Sequence, residues 1–385
     1  MCMGLEILAS ETGSSALLRL DGRLDMETSA SLASALAGAG ARSVVLDMAE
    51  CGYVSSAGLR VLLIAHRDLA RTGHSLSLIN VTPLVHAVFE TTGLDQILRV
   101  GRAARSISLD GAELISSGAC GDCYRLDRET VVKLYRAGVD PAIAEKEKRF
   151  AKAAFLLGVP TALSYDVVAC GSRTGVVYEM IDATLFSAII KADPANTPHH
   201  ARRLAEIAKG VHAIKGDPAV FPRLKDQLAD YIKRMDAFLD ASDVAYLLQR
   251  LEAIPDSENC VHFDLHSSNV MIRQDEALII DLGDFSRGGY LFDIGLICFI
   301  YAFPEFGVCE LATKIPAGQG VQFYESFIEA YFSDLPASEL SVFQRNRYFL
   351  ASLRAIYTVT FLPQLQSKMV EIVRDGLLPK MRLES

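Results

Sequence analysis

Two rhythms of apolar and polar residues divide the chain near residue 100. In the first hundred residues, apolar runs of strand length alternate with longer amphipathic stretches. Ser15-Ala16-Leu17-Leu18-Arg19-Leu20 predicts a strand that ends at a turn, Asp21-Gly22. Met26 to Ala39 predicts a helix of small residues, and Ser43-Val44-Val45-Leu46-Asp47 a buried strand. Ser56 or its neighbour caps a helix through Leu59 to His66. Ser75 to Asn80 predicts another strand, and Pro83 opens a helix over Leu84 to Thr91 that Gly93 closes. This alternation predicts a small α/β domain with a largely parallel sheet over residues 1–100. Residues 101 to 105 lack apolar periodicity and predict a linker, taken as 101–107.

From residue 108 to 385 the rhythm changes from strands to helices. Glu113 to Leu126 reads as strand, glycine turn, strand, and Thr130-Val131-Val132-Lys133-Leu134-Tyr135 as a β-branched strand with one Lys at its centre. A helix over Ala142 to Phe150 follows, then an apolar strand, Gly175 to Ile181. Beyond it come helical stretches at Ala201 to Ile214, Phe221 to Leu239, Val244 to Ile254, and from Gln322 onward. The expected fold of this part is α+β and bilobal, with a strand-rich lobe at about 108–180 and a helix-rich lobe at about 181–385.

Polar residues set into this frame carry the chemistry. In His262-Phe263-Asp264-Leu265-His266-Ser267-Ser268-Asn269 an Asp precedes an Asn by five residues. The strand-like Ala277-Leu278-Ile279-Ile280 then leads into Asp281-Leu282-Gly283-Asp284. Phosphoryl transfer from a nucleotide needs these groups: one carboxylate to take the acceptor's proton, an amide oxygen and a second carboxylate to hold Mg²⁺ against the phosphates. Backbone N–H groups of the Gly118 to Gly121 turn suit phosphate contact, and Lys133 suits the α- and β-phosphates. A Lys in a buried strand needs a carboxylate partner. Ile143, Glu147, Phe150, Ala151 and Ala154 are placed on one helical face and Glu145 on the wet one, so Glu147 is the expected partner of Lys133. Glu179 to Ile181 close the apolar strand; in a bilobal kinase this stretch is the hinge whose backbone reads the adenine edge, which makes Glu179 and Ile181 candidate nucleotide contacts, and the alternative is a plain edge strand.

Composition narrows the classes further. At 385 residues and 50% hydrophobic, the chain is long enough for two or three domains. No uninterrupted apolar run reaches membrane-spanning length, and Met1 to Glu6 lacks a basic segment followed by an apolar one, so a soluble, cytoplasmic protein is expected. A net charge of -9 argues against a nucleic-acid partner. Eight Cys fit a reducing compartment, and Cys120-Gly121-Asp122-Cys123 has no second Cys or His pair nearby for zinc.

Two resemblances follow from these residues. Gly22-Arg23-Leu24-Asp25, Val44 to Met48 and Cys51-Gly52-Tyr53-Val54-Ser55-Ser56-Ala57-Gly58-Leu59-Arg60 resemble the STAS domain of anti-sigma factor antagonists over roughly residues 3 to 100. The resemblance implies an anti-sigma factor or kinase partner and a Ser at the helix start whose phosphorylation switches binding off. Alignment on Gly58-Leu59 puts that Ser at Ser56, with Ser55 where the family often has Asp. A phosphate there would meet unpaired N–H groups and the positive end of the helix dipole.

The second part resembles the aminoglycoside and choline phosphotransferase superfamily over about residues 112 to 300. His262-x-Asp264-Leu265-His266-x-x-Asn269 and Phe292-Asp293-Ile294-Gly295 carry the likeness. It implies Asp264 as catalytic base, Asn269 and Asp281 as Mg²⁺ ligands, and Lys133 on the phosphates of ATP, with GTP possible. His262 and Asp293 are expected to brace the loop, and His266 to fill it. Phe263 stands where that superfamily usually has Gly, and Ser267-Ser268 replaces a common Pro-Gly. The fusion implies a phosphotransferase acting on a small-molecule hydroxyl under STAS regulation. The alternative is a partner-switching signalling protein whose kinase domain phosphorylates a protein Ser, its own Ser56 included, or serves as a scaffold.

Overall fold

The computed structural model describes residues 4–12, 15–40, 42–102, 105–118 and 120–383, and divides into two compact units at 107/108. Residues 103 and 104 of the expected linker lie outside the described residues; residues 101 and 102 end a strand instead.

In the first unit β1 (Glu6–Thr12), β2 (Ser15–Leu24), β3 (Ser43–Val54), β4 (Leu76–Val81) and β5 (Arg99–Arg102) form one sheet in the order β1-β2-β3-β4-β5. The β1/β2 pair is antiparallel and the rest parallel, as crossovers through α1 (Ser29–Gly38), α2 (Ser56–Arg71) and α3 (Pro83–Thr92) require. Its core is separate, built on residues such as Leu20, Leu46, Leu62 and Phe89.

Two expectations fail here. Asp21-Gly22 is no turn: β2 runs through it to Leu24. Gly22 has φ +120°, and a Cβ there would sit 2.2 Å from the Gly4 carbonyl, so glycine lets two chain segments cross closely. The first helix starts at Ser29 rather than Met26. Asp25 Oδ1 accepts the N–H groups of Glu27 and Thr28 at 3.1 and 3.3 Å, an Asx turn that delays the helix.

The second unit begins with an antiparallel sheet. β6 (Glu113–Ser117), β7 (Gly121–Arg125), β8 (Thr130–Tyr135), β9 (Ser164–Cys170) and β10 (Arg173–Glu179) pair in the order β6-β7-β8-β10-β9. Helix α4 (Pro141–Leu156) is capped by Asp140 and packs on β9, β10 and the turn Leu282–Asp284. The helical part includes α5 (Phe186–Ala192), α6 (Thr197–His212), α7 (Leu224–Lys233), α8 (Ala241–Ala253), α9 (Leu291–Tyr301), α10 (Val308–Thr313), α11 (Ala317–Phe332) and α12 (Ala337–Phe361), with further helical turns from Gln366 to Leu383. Every residue of α9 is buried, which explains its lack of amphipathic rhythm, and α12 packs along it. The helix expected over Phe221 to Leu239 is shorter, because the Pro222-Arg223 segment stays extended and a 3₁₀ turn follows Lys233. The hairpin Val270–Arg273 and Glu276–Ile279 carries the chain from the loop of residues 262–269 to Asp281.

Candidate active site

The loop of residues 262–269 is anchored at its start by Asp293. Buried Asp293, on α9, accepts the His262 and Phe263 N–H groups at 2.9 and 2.6 Å and a bond from His212 Nε2 at 3.0 Å. Burial alone would raise its pKa. The His212 hydrogen bond and charge, with those of His262, outweigh that and hold the carboxyl below its ordinary value. His262 accepts the Asp264 N–H on Nδ1 at 3.2 Å and donates from Nε2 to the Ile280 carbonyl at 3.1 Å. That bond ties the Asp264 loop to the strand leading into Asp281, so both residues brace the loop.

Asp264 sits at the loop's edge with its side chain 18% exposed. Asn269 Nδ2 donates to its Oδ2 at 3.0 Å and to its main-chain carbonyl at 2.9 Å. His266 Nδ1 accepts the Ser268 N–H, so Nε2 carries the proton and lies 3.7 Å from Asp264 Oδ1. Burial pushes the His266 pKa down and keeps the ring neutral.

In the strand-rich lobe, Lys133 Nζ lies 3.0 Å from both Glu147 oxygens and 2.8 Å from Asp281 Oδ1. Burial would lower the Lys133 pKa, but the charges of Asp281 and Glu147 raise it, so the ammonium stays charged. Glu147 is 2% exposed and also accepts the Tyr178 hydroxyl at 2.6 Å and that of Tyr135. Ala144, Phe150, Ala151 and Ala154 share its buried face. Ile143 does not: it is 39% exposed, because that face runs through Ala144, one residue further on. Asp281 holds a left-handed φ of +64°, which turns its carboxylate out of the strand toward Lys133.

The glycine turn is braced rather than loose. Gly118 N–H donates to the Gly121 carbonyl at 2.8 Å, and Arg136 Nη2 to the Gly118 carbonyl at 2.8 Å. Buried Asp122 anchors Arg136 and Arg173 at 3.0 and 2.8 Å. Gly121 answers a packing need: a Cβ would lie 2.2 Å from the Leu134 carbonyl. A Cβ at Gly118 would meet the Gly121 carbonyl at 3.7 Å, an ordinary contact, so that position has room for a side chain. At the hinge, the Glu179 and Met180 N–H groups are committed to the Leu163 and Glu129 carbonyls at 2.9 and 2.7 Å. Ile181 is buried in a small apolar cluster with Ala162 and Leu278, and its N–H has no protein partner among the described residues. Glu179 therefore has only its carbonyl to offer a nucleotide, and Ile181 its N–H.

One residue of this site has no sequence signal. Arg354, on α12, reaches Asp264 Oδ1 with Nη2 at 2.7 Å and Asp284 Oδ2 with Nη1 at 3.1 Å. No motif or periodicity ties a position ninety residues downstream to the loop, so only the fold reveals it.

In the first unit Ser55, not Ser56, is the N-cap of α2, accepting the Gly58 N–H at 3.5 Å. Ser56 is the first helical residue and is exposed.

A strand-rich lobe with a Lys–Glu pair, set against a helical lobe with an Asp–Asn loop and a metal-type Asp, defines a bilobal kinase-type phosphotransferase. The phosphotransferase enzyme family matches residues 111–339, more than half of the chain, and the chain belongs to that family. The STAS domain family of the Mlab type matches residues 7–100. Among solved structures, the ethanolamine kinase of Plasmodium vivax aligns at TM-score 0.50 and 15% identity over 71% of this chain and 84% of that one, a likeness of fold. The gentamicin complex of APH(2")-IIa aligns at TM-score 0.46 and 18% identity over 69% and 90% of the two chains. In the first unit, "Putative anti-sigma factor antagonist BtrV" of Bordetella bronchiseptica is 41% identical over 64 residues, 17% of this chain and 55% of that protein. The chain thus spans about half the length of this curated relative. Among the described residues no helix is long and apolar enough to cross a membrane.

Proposed function

We propose that this phosphotransferase moves the γ-phosphoryl group of ATP to the hydroxyl of a small molecule, and that its STAS domain regulates it by binding an anti-sigma-type partner. The observation that carries the reading is the convergence of Lys133, Glu147 and Asp281 with Asp264 and Asn269, the two groups being tied together through His262.

In this reading the acceptor oxygen attacks the γ-phosphorus, its proton passes to Asp264, and the bond to the β–γ bridging oxygen breaks to leave ADP. Lys133 holds the α- and β-phosphates, and Glu147 holds Lys133. The Glu179 carbonyl and Ile181 N–H read the adenine edge, with Gly118 at the phosphate turn. The donor set suits Mg²⁺: Asn269 has its amide nitrogen committed to Asp264, which leaves its oxygen for a cation, and Asp281 supplies a carboxylate. Bound there, Mg²⁺ would neutralise phosphate charge. Incubation with Mg²⁺, γ-labelled ATP and a panel of metabolite hydroxyls tests this; transfer that persists in Asp264→Asn sinks it.

A second reading rests on exposed Ser56 at the start of α2, where a phosphate would be held by free N–H groups. Ser56→Asp is expected to impair partner binding and Ser56→Ala to leave the binding-competent form. Phosphosite mass spectrometry after Mg-ATP incubation separates the two readings. Label on Ser56 that vanishes in Asp264→Asn makes the chain a self-modifying switch instead.

A further inference from the structure

We infer that Arg354 is a positioning residue for phosphoryl transfer, whose guanidinium fork fixes the base Asp264 and the turn residue Asp284 from the C-terminal helix α12. The inference rests on the reading of Asp264 as the base. It adds a residue that lies beyond 339, where the family match ends.

The geometry is specific. Arg354 is buried to 15% side-chain exposure, and it places Nη2 2.7 Å from Asp264 Oδ1. Its Nη1 lies 3.1 Å from Asp284 Oδ2 and donates to the Phe263 carbonyl at 3.0 Å. One planar group thus grips the base, the main chain just before the base, and the turn after the metal-type Asp. Lysine is a compact point charge and could not span these directions at once. Asn269 holds the other oxygen of Asp264 at 3.0 Å, so both carboxylate oxygens are set before any acceptor arrives.

Aromatic rings fix the fork in turn. The guanidinium carbon lies 4.4 Å from the Tyr357 ring centre and 5.5 Å from that of Phe263. Phe263 and Tyr357 meet edge to face at 5.6 Å. The Tyr357 hydroxyl donates to Asp284 Oδ1 at 2.6 Å, so Asp284 too has both oxygens held. Phe263 holds a φ of +59°, a conformation that costs a residue with a Cβ on the order of 1–3 kcal/mol. Its ring is almost fully buried in this cluster. The strained backbone and the buried ring together aim the Phe263 carbonyl at Arg354, which gives this large residue a purpose at a position where glycine would be easier.

The test uses the full chain as wild type, Arg354→Ala and Arg354→Lys. Turnover of Mg-ATP is measured with any acceptor found, water included, and crystal structures are solved for all three proteins. In Arg354→Ala kcat is expected to fall about 10²-fold, the loss that misplacing a reacting group by about an ångström brings. KM for ATP is expected to hold, because Arg354 touches neither Lys133 nor the glycine turn. Arg354→Lys keeps the buried positive charge and the fold, and is expected to show an intermediate kcat. In the Arg354→Ala crystal the Asp264 carboxylate should leave its wild-type position while the Lys133–Glu147 pair stays. A wild-type kcat in either variant overturns the inference, as does an Asp264 that superimposes on the wild type. Wild-type protein that transfers phosphate to nothing refutes the proposed function, and the crystal comparison still decides the role of Arg354. If Arg354→Ala does not fold, the Lys variant carries both measurements.

Discussion

Lys133 and Arg354, on the nucleotide and acceptor sides of the proposed site, each stand between two carboxylates, and the two cations are built differently. On the nucleotide side Lys133 lies 3.0 Å from Glu147 and 2.8 Å from Asp281. On the acceptor side Arg354 lies 2.7 Å from Asp264 and 3.1 Å from Asp284. An ammonium with rotatable donors can trade a carboxylate for a phosphate oxygen without losing its other partner. A guanidinium has its donors in fixed directions and rewards partners that stay still. Under the proposed function, the nucleotide side is therefore built to exchange a ligand and the acceptor side to hold a geometry.

The sharpest way to break this contrast is to remove one carboxylate from each side. Asp264→Asn should lower kcat by about 10²–10⁴ with Mg-nucleotide affinity largely intact. Asp281→Ala should instead weaken Mg-nucleotide binding itself. Titration with a fluorescent Mg-nucleotide, beside steady-state rates, checks both. A nucleotide affinity that collapses in Asp264→Asn and survives in Asp281→Ala would reverse the assignment of the two walls.

Glu147 comes next. It is buried and accepts Lys133, Tyr178 and Tyr135 together. Glu147→Gln should destabilise the kinase domain by about 3–5 kcal/mol, since it leaves buried partners uncompensated. KM for ATP should rise as Lys133 drifts toward Asp281. Glu145, half-buried on the same helix, should cost no more than about 0.5 kcal/mol when changed to Gln. Chemical denaturation of the two variants measures the gap, and equal losses would remove the distinction between the helix faces.

The two walls also differed in how far they could be read from the sequence. Strand β8 matches the expected span Thr130 to Tyr135, because β-branched residues and flanking turns signal it locally. The Lys133–Glu147 pair joins residues only fourteen apart, so helical periodicity could choose Glu147 over Glu145. Ile143 falls off the expected face, because one apolar side chain at a helix start does not define a face. Asp264 and Asp281 stood out through motif spacing. Arg354 lies ninety-one residues from Phe263, on a helix whose apolar pattern serves the packing against α9. Its partners are fixed only once α9 and α12 have packed. Asp21-Gly22 failed for the opposite reason: a local turn signal was overridden by a long-range crossing with Gly4.

Acid sharpens the comparison at the floor of the acceptor side. Asp293 holds the His262 and Phe263 backbone and has a pKa below its ordinary 3.8, despite the opposing effect of burial, through His212 and His262. A folded value below the unfolded one means that its stability contribution is complete above about pH 4 and is lost as pH falls through the folded value. Urea titrations of the full chain at neutral and acid pH should therefore show a steeper acid loss in wild type than in Asp293→Asn. Parallel curves would mean that other carboxylates set the acid limit.

Within the Arg354 cluster the smallest expected effect belongs to Tyr357. Its hydroxyl donates to Asp284 Oδ1 at 2.6 Å, and its ring stacks on Phe361 at 4.6 Å and meets Tyr231 at 5.4 Å. Burial first, and then the charge of Asp284, push the phenol pKa well above its ordinary value, so it remains a donor throughout the working pH range. Tyr357→Phe removes that one bond and keeps the rings. Asp284 would still have Arg354, and its side chain is 20% exposed, so water can replace the lost donor. The stability cost should be about 1 kcal/mol, and kcat should fall less than in Arg354→Ala. Rates and denaturation midpoints for Tyr357→Phe, Arg354→Ala and the double variant form a cycle that apportions the cluster. A kcat loss in Tyr357→Phe equal to that of Arg354→Ala would show that the hydroxyl and the fork act as one unit. The acceptor wall would then owe its fixed geometry to the whole cluster rather than to the guanidinium.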